Sequence, residues 1–191
     1  MFENIILTNG LILTILLASL AACAVPYKPP ENAPLAKVRF ITADGGLKRI
    51  FVFADENCER GEFGGQLAVI GGWGSSGEIS RLNMYGAREQ NIRIAEREVH
   101  ADQRLYFAFH ESFTIPQAST PNMYYTKTYS CNVTLSFIPK QDHQYEVLQT
   151  MSGFMNCNAS VAELVKMPDG TVTRMPENTV VINKKECSYN Y

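Results

Sequence analysis

The sequence carries little excess charge of either sign and few residues of the kinds that mark a metal or catalytic site. Its 17 Lys and Arg residues nearly balance its 19 Asp and Glu residues, which argues against a nucleic-acid binder, since that class carries a basic face. Only three His and one Trp occur among 191 residues. The hydrophobic fraction of 46% excludes an intrinsically disordered chain. The sequence therefore predicts a folded protein without specifying an activity.

No segment presents a catalytic or cofactor motif in its required context. Residues 72–77 match the dinucleotide fingerprint G-x-G-x-x-G. That fingerprint needs a helix N-terminus inside a parallel βαβ unit, whereas the surrounding pattern predicts strands. We interpret 72–77 as a Gly/Ser loop. Trp73 within it is a candidate partner contact, and a plug for one end of the domain is the alternative. We expect neither an enzyme nor a cofactor.

Metal sites are also poorly supported. The segment Asp55–Glu59 resembles the start of a calcium loop, but Arg60 takes the position that an EF-hand gives to glycine. We interpret it as a solvated acidic turn. The Cys spacings are far from C-x₂-C and no His lies between them in a zinc pattern. We therefore expect no metal.

The N-terminus has the organisation of an export signal. The apolar run over residues 11–20 has the length of a signal-peptide core, whereas a spanning helix needs about 20 apolar residues. The sequence Leu20-Ala21-Ala22-Cys23 resembles the lipobox of bacterial lipoproteins. The resemblance implies a signal peptide over 1–22, cleaved before Cys23, and acylation of Cys23 with palmitate-type chains. An ordinary signal peptide or an N-terminal membrane helix is the alternative.

The same resemblance implies an address in the cell envelope. Ala24 stands where an inner-membrane retention residue such as Asp would stand, which implies an outer-membrane lipoprotein facing the periplasm or the cell surface. The pattern Cys131-x-Val-x-Leu-x-Phe, followed by Tyr145-Glu-Val and Cys157, resembles small envelope lipoproteins of Proteobacteria. This second resemblance implies no activity.

Two further regions follow the signal. Residues 23–36 contain Pro26, Pro29, Pro30 and Pro34, which disfavour helix and predict an extended tether. Residues 37–191 have the size of one ordinary domain.

Alternation of apolar and polar residues dominates the chain after residue 37 and predicts an all-β fold. Residues 49–54 are apolar on both faces, which indicates a central strand, and residues 129–138 show the half-buried antiparallel pattern. A helix would fit only over residues 78–90. Further strands are predicted over 37–42, 66–70, 92–96, 105–109, 145–151, 157–165 and 179–183. We expect a two-sheet antiparallel β-sandwich, or a small barrel, stapled by disulfides.

Four Cys follow Cys23, an even set in an oxidising compartment. Three pairings are open. We expect Cys131 to pair with Cys157, because both lie in neighbouring predicted strands, and Cys58 to pair with Cys187, which ties the C-terminus to an early loop.

Aromatic residues concentrate around the polar stretch 111–128, which contains Pro116 and Pro121 and is predicted to be a loop joining two strands. Tyr124 and Tyr125 within it are candidate partner contacts. The alternative is that the aromatic rings of this region fill the core.

These observations together predict a lipid-anchored envelope lipoprotein with a binding or assembly role and no catalysis. Its partners would be the membrane, through the lipid, and an envelope protein, with no nucleic acid. The alternatives are a module that binds a soluble ligand or inhibits a hydrolase, and an envelope hydrolase.

Overall fold

The computed structural model describes residues 26–42, 47–62, 64–70, 82–86, 93–120, 123–152 and 156–187. These residues contain ten strands and no helix, so none of them forms a helix able to cross a membrane. The strands are β1 (Leu35–Thr42), β2 (Leu47–Phe53), β3 (Gly65–Ile70), β4 (Arg93–His100), β5 (Leu105–Thr120), β6 (Met123–Phe137), β7 (Gln144–Ser152), β8 (Asn156–Lys166), β9 (Val172–Pro176) and β10 (Val181–Ile182).

The strands form two packed sheets of five. Sheet I has the order β4-β1-β7-β8-β9, and sheet II has the order β10-β6-β5-β2-β3. All neighbouring pairs are antiparallel except β1 and β7, which run parallel. The prediction of an all-β two-sheet sandwich is confirmed, and the alternative of a closed barrel is not what the chain adopts. The predicted central strand, β2, lies between β3 and β5.

Aromatic rings fill the space between the sheets. The ring of Phe40 on β1 lies 5.6 Å from that of Phe107 and 5.9 Å from that of Phe109, both on β5. Phe137 on β6 extends this contact to Tyr145 on β7, with ring centroids 5.1 Å apart. Each such pair contributes about 0.5–1.5 kcal/mol beyond the area that it buries. For these rings, filling the core is the role that the structure shows.

Both predicted disulfides are present, Cys58–Cys187 and Cys131–Cys157. Cys131 and Cys157 were expected to pair because they lie in neighbouring predicted strands, and this reason was wrong. Their strands, β6 and β8, belong to different sheets, so the bond joins sheet II to sheet I. Cys58–Cys187 holds the C-terminal segment over the outer face of sheet II, where the Cys187 N–H donates to the Thr134 hydroxyl at 2.8 Å. The predicted half-buried pattern of β6 is therefore incomplete, since its outward residue Thr134 is also buried.

Three sequence-based boundaries need correction. Residues 111–128 are not a loop, because β5 and β6 continue through most of this stretch as a paired hairpin. Thr and Tyr suit a pleated strand, and this local preference outweighs the presence of proline. β9 was not predicted, because it lies at a sheet edge and lacks apolar alternation. Of the stretch where a helix would fit, the structure describes only 82–86, which is not helical.

Candidate functional site

The outer part of the β5–β6 hairpin projects beyond the sandwich. β2 accompanies β5 only as far as the pair Leu47–Ser112, whereas pairing of β5 with β6 continues from Phe113–Tyr129 to Thr120–Met123. We call residues 113–129 the arm. At about 3.3 Å per residue, Phe113 to Thr120 spans roughly 25 Å. The arm is thus a two-stranded ribbon standing outside the main core.

One side of the arm combines tyrosine with a single cation. Tyr125, Lys127 and Tyr129 alternate along β6 on the side that continues the inner face of sheet II, because Cys131 and Val133 extend the same series. Tyr125 is 51% exposed. The Lys127 ammonium lies 5.1 Å from the centre of the Tyr129 ring, a cation–π contact. No acidic residue occurs in the arm.

The two edges of the arm differ. Pro116 on β5 lies opposite Thr126 on β6. Proline has no N–H, and it is tolerated in a ladder where its nitrogen faces away from the paired strand, so the outer edge of β5 lacks a donor there. Among the described residues, β10 pairs with the outer edge of β6 only at Ser136 and Leu135. Along the arm, β6 therefore presents backbone N–H and C=O groups that an added strand can use.

The arm brings together two of the predicted partner contacts. Tyr124 and Tyr125 are consecutive residues of β6, and Tyr124 lies opposite Ala118 on β5. Trp73 and Cys23 lie outside the described residues, so their predicted roles stay predictions. The sequence indicated these tyrosines as contact residues but predicted that they lie in a loop, whereas they lie on a strand of a paired hairpin.

The root of the arm is a buried polar row on the inner face of sheet II. Lys48 and Glu111 are opposite one another on β2 and β5, with side chains 0% and 2% exposed and their charged atoms 3.2 Å apart. Glu111 is in turn opposite Cys131, whose Sγ lies 3.5 Å from the Gln149 amide nitrogen of sheet I. The ion pair and the inter-sheet disulfide thus fix the point from which the arm leaves.

A second buried charge cluster lies on the outer face of sheet I. Arg39 on β1 donates to Glu96 on β4 at 2.9 Å and lies 3.5 Å from Glu146 on β7. Arg174 on β9 donates to Glu146 at 2.7 Å. Arg39 is opposite both Glu96 and Glu146 on the adjacent strands, whereas Arg174 reaches Glu146 across the intervening strand β8. Sequence reasoning missed this arrangement because the strand order was unknown. Both carboxylates are bound by arginine, so the cluster offers no available acid–base pair.

The cluster holds residues 82–86, which we call the cover segment. The Arg39 guanidinium donates to the carbonyls of Met84, Tyr85 and Gly86 at 3.1, 3.0 and 2.6 Å. Gly86 adopts a φ of +62°, and a Cβ there would come within 3.1 Å of Val172 on β9. The cover segment is therefore bound tightly to sheet I through backbone groups.

The N-terminal segment lies against the domain at the end opposite the arm. Pro26 forms a parallel bridge with Gln66, and the Tyr27 N–H donates to the Gln66 carbonyl at 2.9 Å. The Tyr27 hydroxyl accepts from the His100 N–H at 3.1 Å. Burial raises the pKa of Tyr27, and this hydrogen bond opposes the increase only in part. The described part of the predicted tether is thus bound to the domain.

A pocket of about 200 Å³ opens at this same end. Its lining includes Tyr27, Phe53, His100, Arg104 and Leu105. Arg104 also donates to the Thr179 carbonyl at 3.0 Å. Ligand pockets usually measure about 300–1,000 Å³, so this pocket is small for an organic ligand.

The predicted acidic turn is a hydrogen-bonded turn. The Asp55 carboxylate accepts from the N–H groups of Asn57 and Glu59 at 2.9 and 3.2 Å. Slight burial raises the pKa of Asp55, but these bonds and the Lys185 charge together keep it below its ordinary value. Among the residues that the structure describes, no group of three or more His, Cys, Asp or Glu is placed to hold a metal ion.

No protein-family model, no curated protein and no solved structure matches this chain. The function is therefore inferred from its own residues and geometry.

Proposed function

We propose that the protein is a lipid-anchored lipoprotein of the cell envelope that binds or assembles with a partner protein through the arm, without catalysis. The observation that carries the binding role is the arm itself, a paired ribbon that extends beyond the sandwich and presents Tyr125 to solvent. Beyond Ser112, β6 is the only described strand that pairs with β5, so the arm adds no pairing to the rest of the sheet.

The anchoring part of the proposal is supported by the sequence Leu20-Ala21-Ala22-Cys23 and by the two disulfides. Disulfides persist in oxidising compartments, which is compatible with a domain outside the cytoplasm. Acyl chains contribute about 0.8 kcal/mol per buried CH₂, so two or more chains would anchor the protein stably. Ala24 favours delivery to the outer membrane.

The binding part is supported by the chemistry of the arm. Tyrosine is enriched at protein interfaces, and acidic side chains, which the arm lacks, are depleted there. The outer edge of β6 offers main-chain hydrogen bonds, while Pro116 blunts the β5 edge. An extended segment of a partner protein would therefore add to β6, with Tyr125 and Lys127 contacting its side chains.

The alternatives have weaker support in the geometry. A ligand carrier would need space between the sheets, which the rings of Phe40, Phe107 and Phe137 occupy. The pocket near Tyr27 is smaller than usual ligand sites. A hydrolase of the glycosidase type would need two available carboxylates, whereas Glu96 and Glu146 are both bound by Arg39.

Metabolic labelling with palmitate tests the anchor. Wild-type protein should incorporate label and partition with membranes, whereas Cys23→Ser should do neither, because the acceptor thiol is gone. Ala24→Ser is the matched control and should label normally. Equal labelling of the wild-type and Cys23→Ser proteins would contradict the anchoring proposal.

Photo-crosslinking in cells tests the arm. A photoreactive residue at Tyr125, which is 51% exposed, should capture a protein in a discrete adduct. The matched control is the same residue at Met175 on β9, which is 53% exposed. The same adduct from both positions, or no adduct from Tyr125 in correctly localised protein, would refute the arm as the contact surface.

A further inference from the structure

We infer that the sandwich rests directly on the lipid headgroups by one defined end and points the arm away from that membrane. This orientation depends on the proposed lipidation of Cys23. The anchor end consists of the loops over residues 54–62, 101–104 and 138–143, together with the start of the N-terminal segment. Its partner is the headgroup layer of the bilayer that holds the lipid.

Only a short stretch of chain separates the proposed lipid from the domain. Pro26 is already bridged to Gln66, and only Ala24 and Val25 separate it from Cys23. Three residue spacings reach at most about 10 Å. A free tether over residues 24–36 would instead extend roughly 40 Å in a proline-rich conformation. The hydrogen bonds of Tyr27 with Gln66 and His100 hold the chain against the domain, so the tether does not extend over that longer distance.

The reach of about 10 Å is close to the thickness of the headgroup layer. A bilayer of about 40–45 Å with a hydrocarbon core of about 30 Å leaves roughly 5–7 Å of headgroup layer on each side. Most of the 10 Å reach lies within that layer. The domain consequently has only a few ångströms of freedom above the headgroups.

The direction of the chain at Pro26 indicates the end of the domain that faces the lipid. The bridge from Pro26 to Gln66 is parallel to β3, which begins at Gly65, so a chain that keeps this direction before Pro26 would come from the end where β3 begins. β2 ends, β4 ends and β5 begins at that same end, as the pairs Phe53–Tyr106 and Leu35–His100 show. Cys23, three residues before Pro26 in the sequence, would therefore stand at the anchor end.

The arm extends toward the end opposite the proposed lipid. Gln66 is opposite Phe51, and Phe51 is opposite Ala108, so Pro26 is level with Ala108 along the strands. From Ala108 to Thr120, β5 extends about 40 Å toward the opposite end. The tip of the arm would thus stand about 40 Å or more above the headgroups. At that height the arm would contact a protein that lies opposite the anchoring membrane, and it would not contact the lipid surface.

Energy transfer from tryptophan to a dansyl-headgroup lipid in vesicles tests this orientation. Lipidated full-length protein carrying Trp73→Phe, which removes the one native Trp, receives either Lys140→Trp at the anchor end or Tyr125→Trp on the arm. Both sites are exposed. Transfer efficiency should be several-fold higher from position 140. Equal efficiencies, or higher efficiency from position 125, would overturn the inference.

A linker variant completes the test. A flexible Gly/Ser insertion between Val25 and Pro26 should lower transfer from position 140, because the domain can then leave the surface. Unchanged transfer would mean that the short connection does not hold the domain, and the inference fails. Failure of lipidation is distinguishable, because neither Trp variant would then float with the vesicles.

Discussion

Replacing Arg39 by methionine tests whether the charge cluster on sheet I is a stabilising element. The side chains of Arg39 and Glu146 are each 3% exposed, and that of Glu96 is 5% exposed. The substitution leaves two buried carboxylates and the carbonyls of the cover segment without their shared donor. Breaking a buried ion pair from one side costs about 3–5 kcal/mol, a large part of a total stability of about 5–15 kcal/mol.

Urea unfolding followed by circular dichroism measures this loss. With an m-value of about 2 kcal/mol/M, the Arg39→Met midpoint should fall by roughly 2 M. Arg174→Met is the control, because its side chain is 34% exposed and its ion pair with Glu146 contributes about 1 kcal/mol or less. Trypsin should also cut the Arg39→Met protein faster after Arg81, next to the cover segment. A loss below about 1 kcal/mol, or one equal to that of Arg174→Met, would refute the reasoning.

Three further results are expected. Glu111→Leu should cost about 3–5 kcal/mol in thermal unfolding because it removes the carboxylate that lies 3.2 Å from the buried Lys48 ammonium. Lys48→Met with Glu111→Leu should recover most of that loss; no recovery would show that packing, not charge, is responsible. Cys58→Ser with Cys187→Ser should lose up to about 5 kcal/mol and release the C-terminal segment to protease, and intact resistance would contradict the role of that bond. Burial raises the pKa of Tyr145 to about 12, so its share of stability is full below the unfolded-state pKa of about 10 and is lost as pH rises toward 12. Tyr145→Phe should flatten that alkaline decline, which a pH series of melting temperatures would detect.

Most of the fold could be predicted from the alternation of apolar and polar residues along the strands. Residues 49–54 and 129–138 alternate or run apolar strongly enough to indicate β2 and β6. The arm was missed because proline and hydroxyl residues in one stretch suggested a loop, whereas Pro116 occupies a position where a ladder tolerates the missing N–H. β9 was missed because an exposed edge strand needs no apolar face.

Pairings between strands that are far apart in sequence could not be predicted from the sequence. Cys131–Cys157 was identified, but its sheets were not, because nothing local assigns β6 and β8 to opposite layers. Arg39 meets Glu146 only through the parallel pairing of β1 with β7, which are far apart in sequence. Lys48 immediately precedes the predicted strand over 49–54 and continues the inward-facing series of Ile50 and Val52. A charged residue in such a series is the signal that would have indicated a buried ion pair.

Mass spectrometry of the N-terminal peptide, from protein extracted from membranes with detergent, tests the anchoring claim most directly. We expect a peptide that begins at Cys23 and carries a diacylglyceryl group on its sulfur. An unprocessed N-terminus beginning at Met1, with an unmodified Cys23 and the protein recovered from cytosol, would contradict it.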